Sequence, residues 1–207
     1  MIFSSSLLEE AVREFSKLPG IGKKTALRLV LHLIRQEEGH VMQFSDAIAR
    51  LRKEIRFCKR CHNIADSDLC KICSNTGRKQ QLVCVVENLR DVIAIESTQQ
   101  FNGLYHVLGG IISPLDGISP EDIQIDSLIR RVEKEQIEEL IFALNPNIQG
   151  DTTIYYISKK IRAFPVKVTA IARGISFGGE LEYADEMTLA RSISNRIPVE
   201  QYITVGS

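Results

Sequence analysis

Cys58-Lys59-Arg60-Cys61 and Cys70-Lys71-Ile72-Cys73 are two CxxC pairs separated by eight residues, in a chain with one further cysteine. Two thiolates spaced by two residues turn back on a single ion, and a second pair a short loop away completes a tetrahedron with no position left for water. The spacing predicts a structural zinc site, Cys58, Cys61, Cys70 and Cys73, and makes a disulfide pairing the weaker reading. The opening MIFSSSLLEE lacks the basic and long apolar segments of a secretion signal, which points to a reducing, cytoplasmic setting. His62, beside Cys61, is an alternative ligand that four cysteines make unnecessary. Cys84, inside the apolar run 82–86, reads as a small core residue.

On the amino side of this module, Ser6-Leu7-Leu8-Glu9 has the form of a capping box and predicts a helix over 7–17. Leu18-Pro19-Gly20-Ile21-Gly22 breaks it, and a second helix is expected over 23–37 with Ala26, Leu29, Val30, Leu33 and Ile34 on one face. Free amides at Gly20, Gly22 and the first turn of that helix make a phosphate cradle at the positive end of a helix dipole. At 100° per residue Lys24, Arg28 and Arg35 lie within about 40° of one another opposite the apolar face. This is the pattern of a helix-hairpin-helix that grips a nucleic-acid backbone without reading bases. An ordinary αα-hairpin with a solvated basic face is the plainer alternative. Gly22-Lys23-Lys24-Thr25 is no Walker A loop, because Gly-Lys is not followed directly by Ser or Thr and Lys17 stands where the first glycine belongs. Leu31 falls on the basic face and marks a candidate protein contact. A third helix is expected over 40–56, burying Ala47, Ile48, Leu51 and Ile55.

On the carboxyl side the period changes. After a polar linker at 74–79, strands are expected at 82–86, 105–108, 140–144 and 166–172, alternating with helices at 89–97, 127–136 and 152–163. That alternation implies a mainly parallel sheet with ligand sites at the carboxyl ends of its strands. Glu87, Asp91 and Asp151 sit at such ends, Asp151 also being a sound N-cap for the helix after it. Beyond 173, a glycine-rich stretch carries Glu180, Glu182, Asp185 and Glu186, an acidic loop in which Asp185 is expected to cap a helix over 186–194.

The 207 residues, 44% hydrophobic and 25% charged, suffice for one sizeable core or two small ones, and no run approaches the ~20 apolar residues of a membrane span. Net charge is zero but uneven. Residues 1–80 hold 15 Lys and Arg against 9 acids, and 81–207 hold 11 against 17. The amino-terminal part therefore suits a polyanion and the remainder a protein or metal.

Taken in order, LPGIGKKTALRL, CKRC with CKIC, VVENLRDVIAIE, ALNPNIQGDTT and GGELEYADE resemble the RecR family of bacterial recombination mediators over essentially the whole chain. The resemblance implies an α+β multidomain fold: a helix-hairpin-helix at 1–53, a four-cysteine zinc module at 54–78, a Toprim domain at 79–172, and a Walker B-like region with a closing segment at 173–207. It implies a non-enzymatic DNA-binding mediator of recombinational repair, acting on double- and single-stranded DNA without sequence preference. Such a mediator forms a ring-like homotetramer and works with RecO and RecF to help load RecA at gaps coated by single-strand binding protein. Gly20, Gly22, Lys23, Lys24 and Arg28 would then contact DNA, the four cysteines would bind zinc, and Glu87, Asp91 and Asp151 would form the Toprim acidic cluster.

Two departures bear on chemistry. Lys23 stands where the family usually has proline, exchanging rigidity at the first helical position for charge. Gln149 and Thr153 stand where carboxylates would complete a magnesium site, which takes hard oxygen ligands. The alternative reading, a magnesium-dependent Toprim nuclease or primase-like enzyme using Glu87 and Asp151, is short of one carboxylate. The acids are instead expected to present a negative rim to a basic partner, RecO being the one the resemblance supplies. Leu31 and the segment 198–205 are the expected subunit contacts.

Overall fold

The computed structural model describes residues 3–175 and 178–198. The chain divides into two compact units, one ending at Ile55 and the other beginning at Arg56.

In the first unit, α1 (Ser6–Ser16) and α2 (Lys23–Ile34) pack on one another around Val12, Ala26 and Val30, with Leu8, Phe15, Ile21 and Leu27 at the margins. The N-cap of α1 is Ser5, whose hydroxyl accepts from the Leu8 amide at 3.4 Å, so the expected capping box from Ser6 to Glu9 does not form. In the run Ser4-Ser5-Ser6 each hydroxyl can cap, and extended backbone at Ser5 decides which one does. Helix α2 stops at Ile34, three residues short of the expected end, and leaves Ile34 exposed. Helix α3 (Glu38–Glu54) starts and stops two residues earlier than expected, because Arg56 and Phe57 leave it to pair as a strand. The expected burial of its apolar stripe is wrong: α3 buries no side chain, and Ile48 and Leu51 are 52% and 61% exposed. The core of this unit is built from α1 and α2, with Phe3 and Ile21 beside them and no residue of α3.

The second unit begins with a small antiparallel pair, β1 (Arg56–Phe57) and β2 (Ile64–Ala65), then builds a four-stranded sheet from β3 (Lys79–Val86), β4 (Gly103–Val107), β5 (Glu139–Ala143) and β6 (Lys167–Ala170). All its neighbours are parallel, in the order β4-β3-β5-β6. Successive residues of β3 feed opposite faces. Val83 and Val85 join Leu104, Phe142, Leu128 of α5 (Ile125–Lys134) and Ile157 of α6 (Ile148–Ile161), while Cys84 and Val86 join Tyr105, Val107 and Val92 of α4 (Leu89–Ser97). Both faces are thus covered, which is why this strand reads as an unbroken apolar run. The chain leaves β3 toward β4 on one side and later leaves β5 toward β6 on the other, so the order reverses between β3 and β5. The crevice at their carboxyl ends is the switch point of the sheet.

Helix α4 has the expected bounds. Helix α6 begins four residues before the expected start, capped by Asn147, whose side chain accepts from the Gly150 amide at 2.7 Å. Gly150, outside the expected helix, lies in the first turn of α6, where a β-carbon would stand 2.1 Å from the Asn145 carbonyl oxygen. Asp151 is therefore not the cap. Helix α7 (Glu186–Ser194) is capped by Asp185, as expected, at 2.9 Å from the Thr188 amide. Of the expected closing segment 198–205, all but Pro198 lies outside the described residues.

Candidate metal centre and nucleic-acid interface

Two tight turns bring the thiols together. The Cys58 amide donates to the Asn63 carbonyl at 2.7 Å and the His62 amide donates back to the Cys58 carbonyl at 2.9 Å, His62 taking a left-handed φ of 62° to close the turn. On the second pair, the Ser74 amide donates to the Cys70 carbonyl at 3.0 Å, and the Cys73 amide points at the Cys70 sulfur at 3.4 Å. Cys58, Cys61, Cys70 and Cys73 are all buried, with Sγ atoms within 4.8 Å of one another and Cys61 and Cys70 at 3.6 Å. Four sulfurs about 2.3 Å from a tetrahedral zinc are about 3.8 Å apart, so the donor set and its spacing fit that ion. Hydrogen bonding between the thiols pushes Cys61 up and Cys70 down, the charge separation expected when acids crowd together and a cation would stabilise both as thiolates. His62 turns away from this cluster: its Nε2 lies 2.6 Å from Ser127 Oγ and its ring meets His106 edge-on at 5.2 Å. Cys84 is a buried core thiol, as expected.

The module is sewn to the sheet. Val107 donates its amide to the Cys61 carbonyl at 2.8 Å, and Arg60 forks onto Glu135 at 3.0 and 2.9 Å while reaching Gln80 at 2.7 Å. Glu135 also accepts from Arg131 at 3.0 Å, and Arg131 donates to the Tyr105 carbonyl at 2.7 Å. Burial alone would raise Glu135, but hydrogen bonding from Arg60 and the charge of Arg131 outweigh it and hold the carboxyl down. Arg131 and Glu135 stand at i,i+4, but no local signal marks Arg60, Gln80 or the Tyr105 carbonyl as their partners, since these lie on separate elements.

In the hairpin, Gly20 has a φ of 77°, which a side chain disfavours, whereas Gly22 has an ordinary φ of −81° and open space where a β-carbon would stand. No side chain caps α2, and the first of its amides to find a partner is that of Ala26, on the Gly22 carbonyl at 2.9 Å. Lys24, Arg28 and Arg35 line one groove with Leu27, Leu31 and His32, and among the described residues none of the three cations is paired with an acid. Leu31 is 41% exposed within it.

The Toprim acids are dispersed into other roles. The Glu87 carboxylate accepts from Asn145 Nδ2 at 3.0 Å across the switch-point crevice, and Asp91 completes the capping box of α4 on the Asn88 amide at 3.0 Å. Asp151 is met by Arg173 at 2.6 Å and Arg191 at 3.6 Å.

Comparison with known proteins matches four successive segments of the chain. Residues 8–52 match the RecR helix-hairpin-helix, 55–75 the RecR four-cysteine zinc finger domain, 81–172 the Toprim domain and 174–197 the RecR C-terminal region. The chain is 58% identical over 194 residues to the recombination protein RecR of Bacteroides thetaiotaomicron, covering 94% of this chain and 95% of the relative. It belongs to the RecR family. The RecR of Amoebophilus asiaticus is 56% identical over 95% of this chain and 98% of its own, and that of Cytophaga hutchinsonii 54% over 95% and 96%. The four-cysteine cluster is thus a zinc module in a RecR-type recombination protein, and among the described residues no helix is long and apolar enough to cross a membrane.

Proposed function

We propose that this chain is a non-enzymatic, cytoplasmic DNA-binding recombination mediator, organised as 1–53, 54–78, 79–172 and 173–207, that acts with RecO and RecF to help load RecA at single-stranded gaps. The observation that carries the reading is the hairpin: amides at Gly20, Gly22 and Lys23, and the cations Lys24 and Arg28, have no partner among the described residues. These groups recognise phosphate and carry no base-reading geometry, so double- and single-stranded DNA bind without sequence preference. Self-association into a ring-like homotetramer is supported by Leu31 and by the apolar stripe on α3, an exposed surface of the kind that marks a contact. Cys58, Cys61, Cys70 and Cys73 hold zinc, and Glu87, Asp91 and Asp151 serve architecture and a basic partner.

A magnesium-dependent Toprim enzyme is disfavoured by the engagement of its carboxylates. Asp151 is neutralised by Arg173, Asp91 is committed to a helix cap, and no carboxylate stands at Gln149 or Thr153. The binding reading is tested with Lys24→Glu/Arg28→Glu, which should weaken affinity for unrelated duplexes alike; unchanged affinity refutes it. The enzyme reading is tested by assaying cleavage, relaxation and polymerisation with magnesium or manganese. Turnover that disappears in both Glu87→Ala and Asp151→Ala would replace our reading with that one.

A further inference from the structure

A groove of about 420 Å³ runs between the zinc loop and α5, well removed in sequence from the hairpin. Lys59 and Arg60 line it from the loop, and Arg130, Arg131 and Lys134 from the helix. The acid in its walls is Glu135, shared by Arg60 and Arg131, while Lys59 is matched by Asp68. Arg130 and Lys134 are exposed, stand about 6 Å apart along the helix, and among the described residues have no carboxylate within ion-pairing distance. Asp126 and Glu133 lie at i−4 and i+3 of Arg130, on its side of the helix, but neither is among the ion pairs of the described residues and neither lines the groove. Arg131 is 4% exposed, and one of its terminal nitrogens, Nη2, has no partner. The groove therefore holds a surplus of fixed positive charge that the fold itself does not use.

We propose that this groove binds the phosphodiester backbone of nucleic acid, as a second contact in addition to the hairpin; the proposal rests on the reading of the chain as a DNA-binding protein. Its lining favours that occupant over an acidic protein segment. Leu69 is its apolar member and no aromatic side chain lines it, whereas protein interfaces are anchored by buried aromatic and aliphatic groups. Nucleic-acid interfaces are instead polar and strongly positive. Arg60 and Arg131, fixed by the shared Glu135, set a positive field, and the exposed guanidinium of Arg130 with the ammonium of Lys134 supplies donors for phosphate oxygens.

The test uses full-length, zinc-loaded protein and fluorescently labelled DNA, with affinity read by anisotropy over a range of KCl concentrations. Arg130→Ala/Lys134→Ala removes two exposed side chains and should leave zinc content and thermal midpoint unchanged. On duplex it should lower the slope of log K against log salt by about 1.8, for two phosphate contacts at about 0.9 each. If the parent binds DNA and Lys24→Glu/Arg28→Glu weakens it, but the groove variant keeps the parent's slope, the groove proposal is overturned while the hairpin reading stands. Loss of DNA binding in neither variant would instead move the DNA site elsewhere and overturn both. A groove variant that keeps its DNA slope but loses binding to a glutamate-rich decapeptide overturns the proposal in favour of an acidic protein partner.

Discussion

Gly22→Ala separates what the hairpin needs for folding from what it needs for binding. At φ −81° and ψ 164° any residue is accommodated, and the new methyl meets no heavy atom within 4 Å. Alanine is a poorer N-cap than glycine by about 0.5–1 kcal/mol, and a stiffer unfolded chain returns about 0.4–1 kcal/mol. The net change in stability should lie within about 0.5 kcal/mol, a shift of about 1–2 °C for a chain of this size. Binding should respond differently, because the methyl occupies space through which a phosphate oxygen must come to about 2.9 Å from an amide nitrogen. Losing one hydrogen bond to a charged group costs about 1.5–3 kcal/mol, or about 10- to 150-fold in affinity. Anisotropy with a labelled duplex, run beside thermal denaturation, reads both. Gly20→Ala gives the opposite control, since its φ of 77° makes it unfavourable for the fold itself. Affinity within twofold of the parent in a normally stable Gly22→Ala protein would refute the amide-cradle argument, and a fall in stability matching the fall in affinity would show that the glycine serves folding.

Cys61→Ser should reduce bound zinc well below one equivalent and destabilise the protein, because a loop of this size has little core besides the thiols and draws its folding energy from the metal; a chelator-resistant protein with under half an equivalent of metal would overturn this. Gly150→Ala drives a methyl to 2.1 Å from the Asn145 carbonyl oxygen and should cost at least about 1–3 kcal/mol in urea denaturation with zinc content unchanged; parental stability would mean that the close approach is readily relaxed. Burial acts to raise the Glu96 carboxyl, but hydrogen bonds from Arg78 and Tyr105 prevail and hold it below its ordinary 4.5. Its stabilisation is therefore complete above about pH 4.5 and is lost as pH falls through the lowered folded value. Glu96→Gln should be less stable than the parent at pH 7, with the gap narrowing below pH 4.5; a constant gap would refute the assignment.

The features legible in the sequence are those whose partners lie close along the chain. The CxxC spacing states its own geometry, and the bounds of α4 follow from Asn88 capping a short apolar period. Helix α6 shows the limit: its first turn, Ile148 to Asp151, falls before the expected start, and the close approach of Gly150 to the Asn145 carbonyl comes from a backbone turn that composition does not encode. Moving the cap to Asn147 frees Asp151 to meet Arg173, a pairing across separate elements that no local pattern announces. Glu135 with Arg60 is hidden for the same reason. The stripe on α3 fails differently. Its period correctly gives a helix with an apolar face, but periodicity cannot say whether that face meets this chain or is left outside its core.

The amide of Val107 bonded to the carbonyl of Cys61 has a consequence for solubility. Strand β4 is an outer strand of the sheet and all five of its residues are buried, so its free margin is the kind of hydrophobic template on which a second molecule adds a strand. That margin is occupied at three points, by Arg78 on the Gly103 carbonyl, by Arg131 on the Tyr105 carbonyl and by the Cys61 carbonyl on the Val107 amide, and the last depends on a loop to which the metal gives its shape. Zinc loss would then do more than loosen a finger: it would bare the carboxyl end of that margin, and the apo protein should fail by clumping, at a rate that climbs with its concentration.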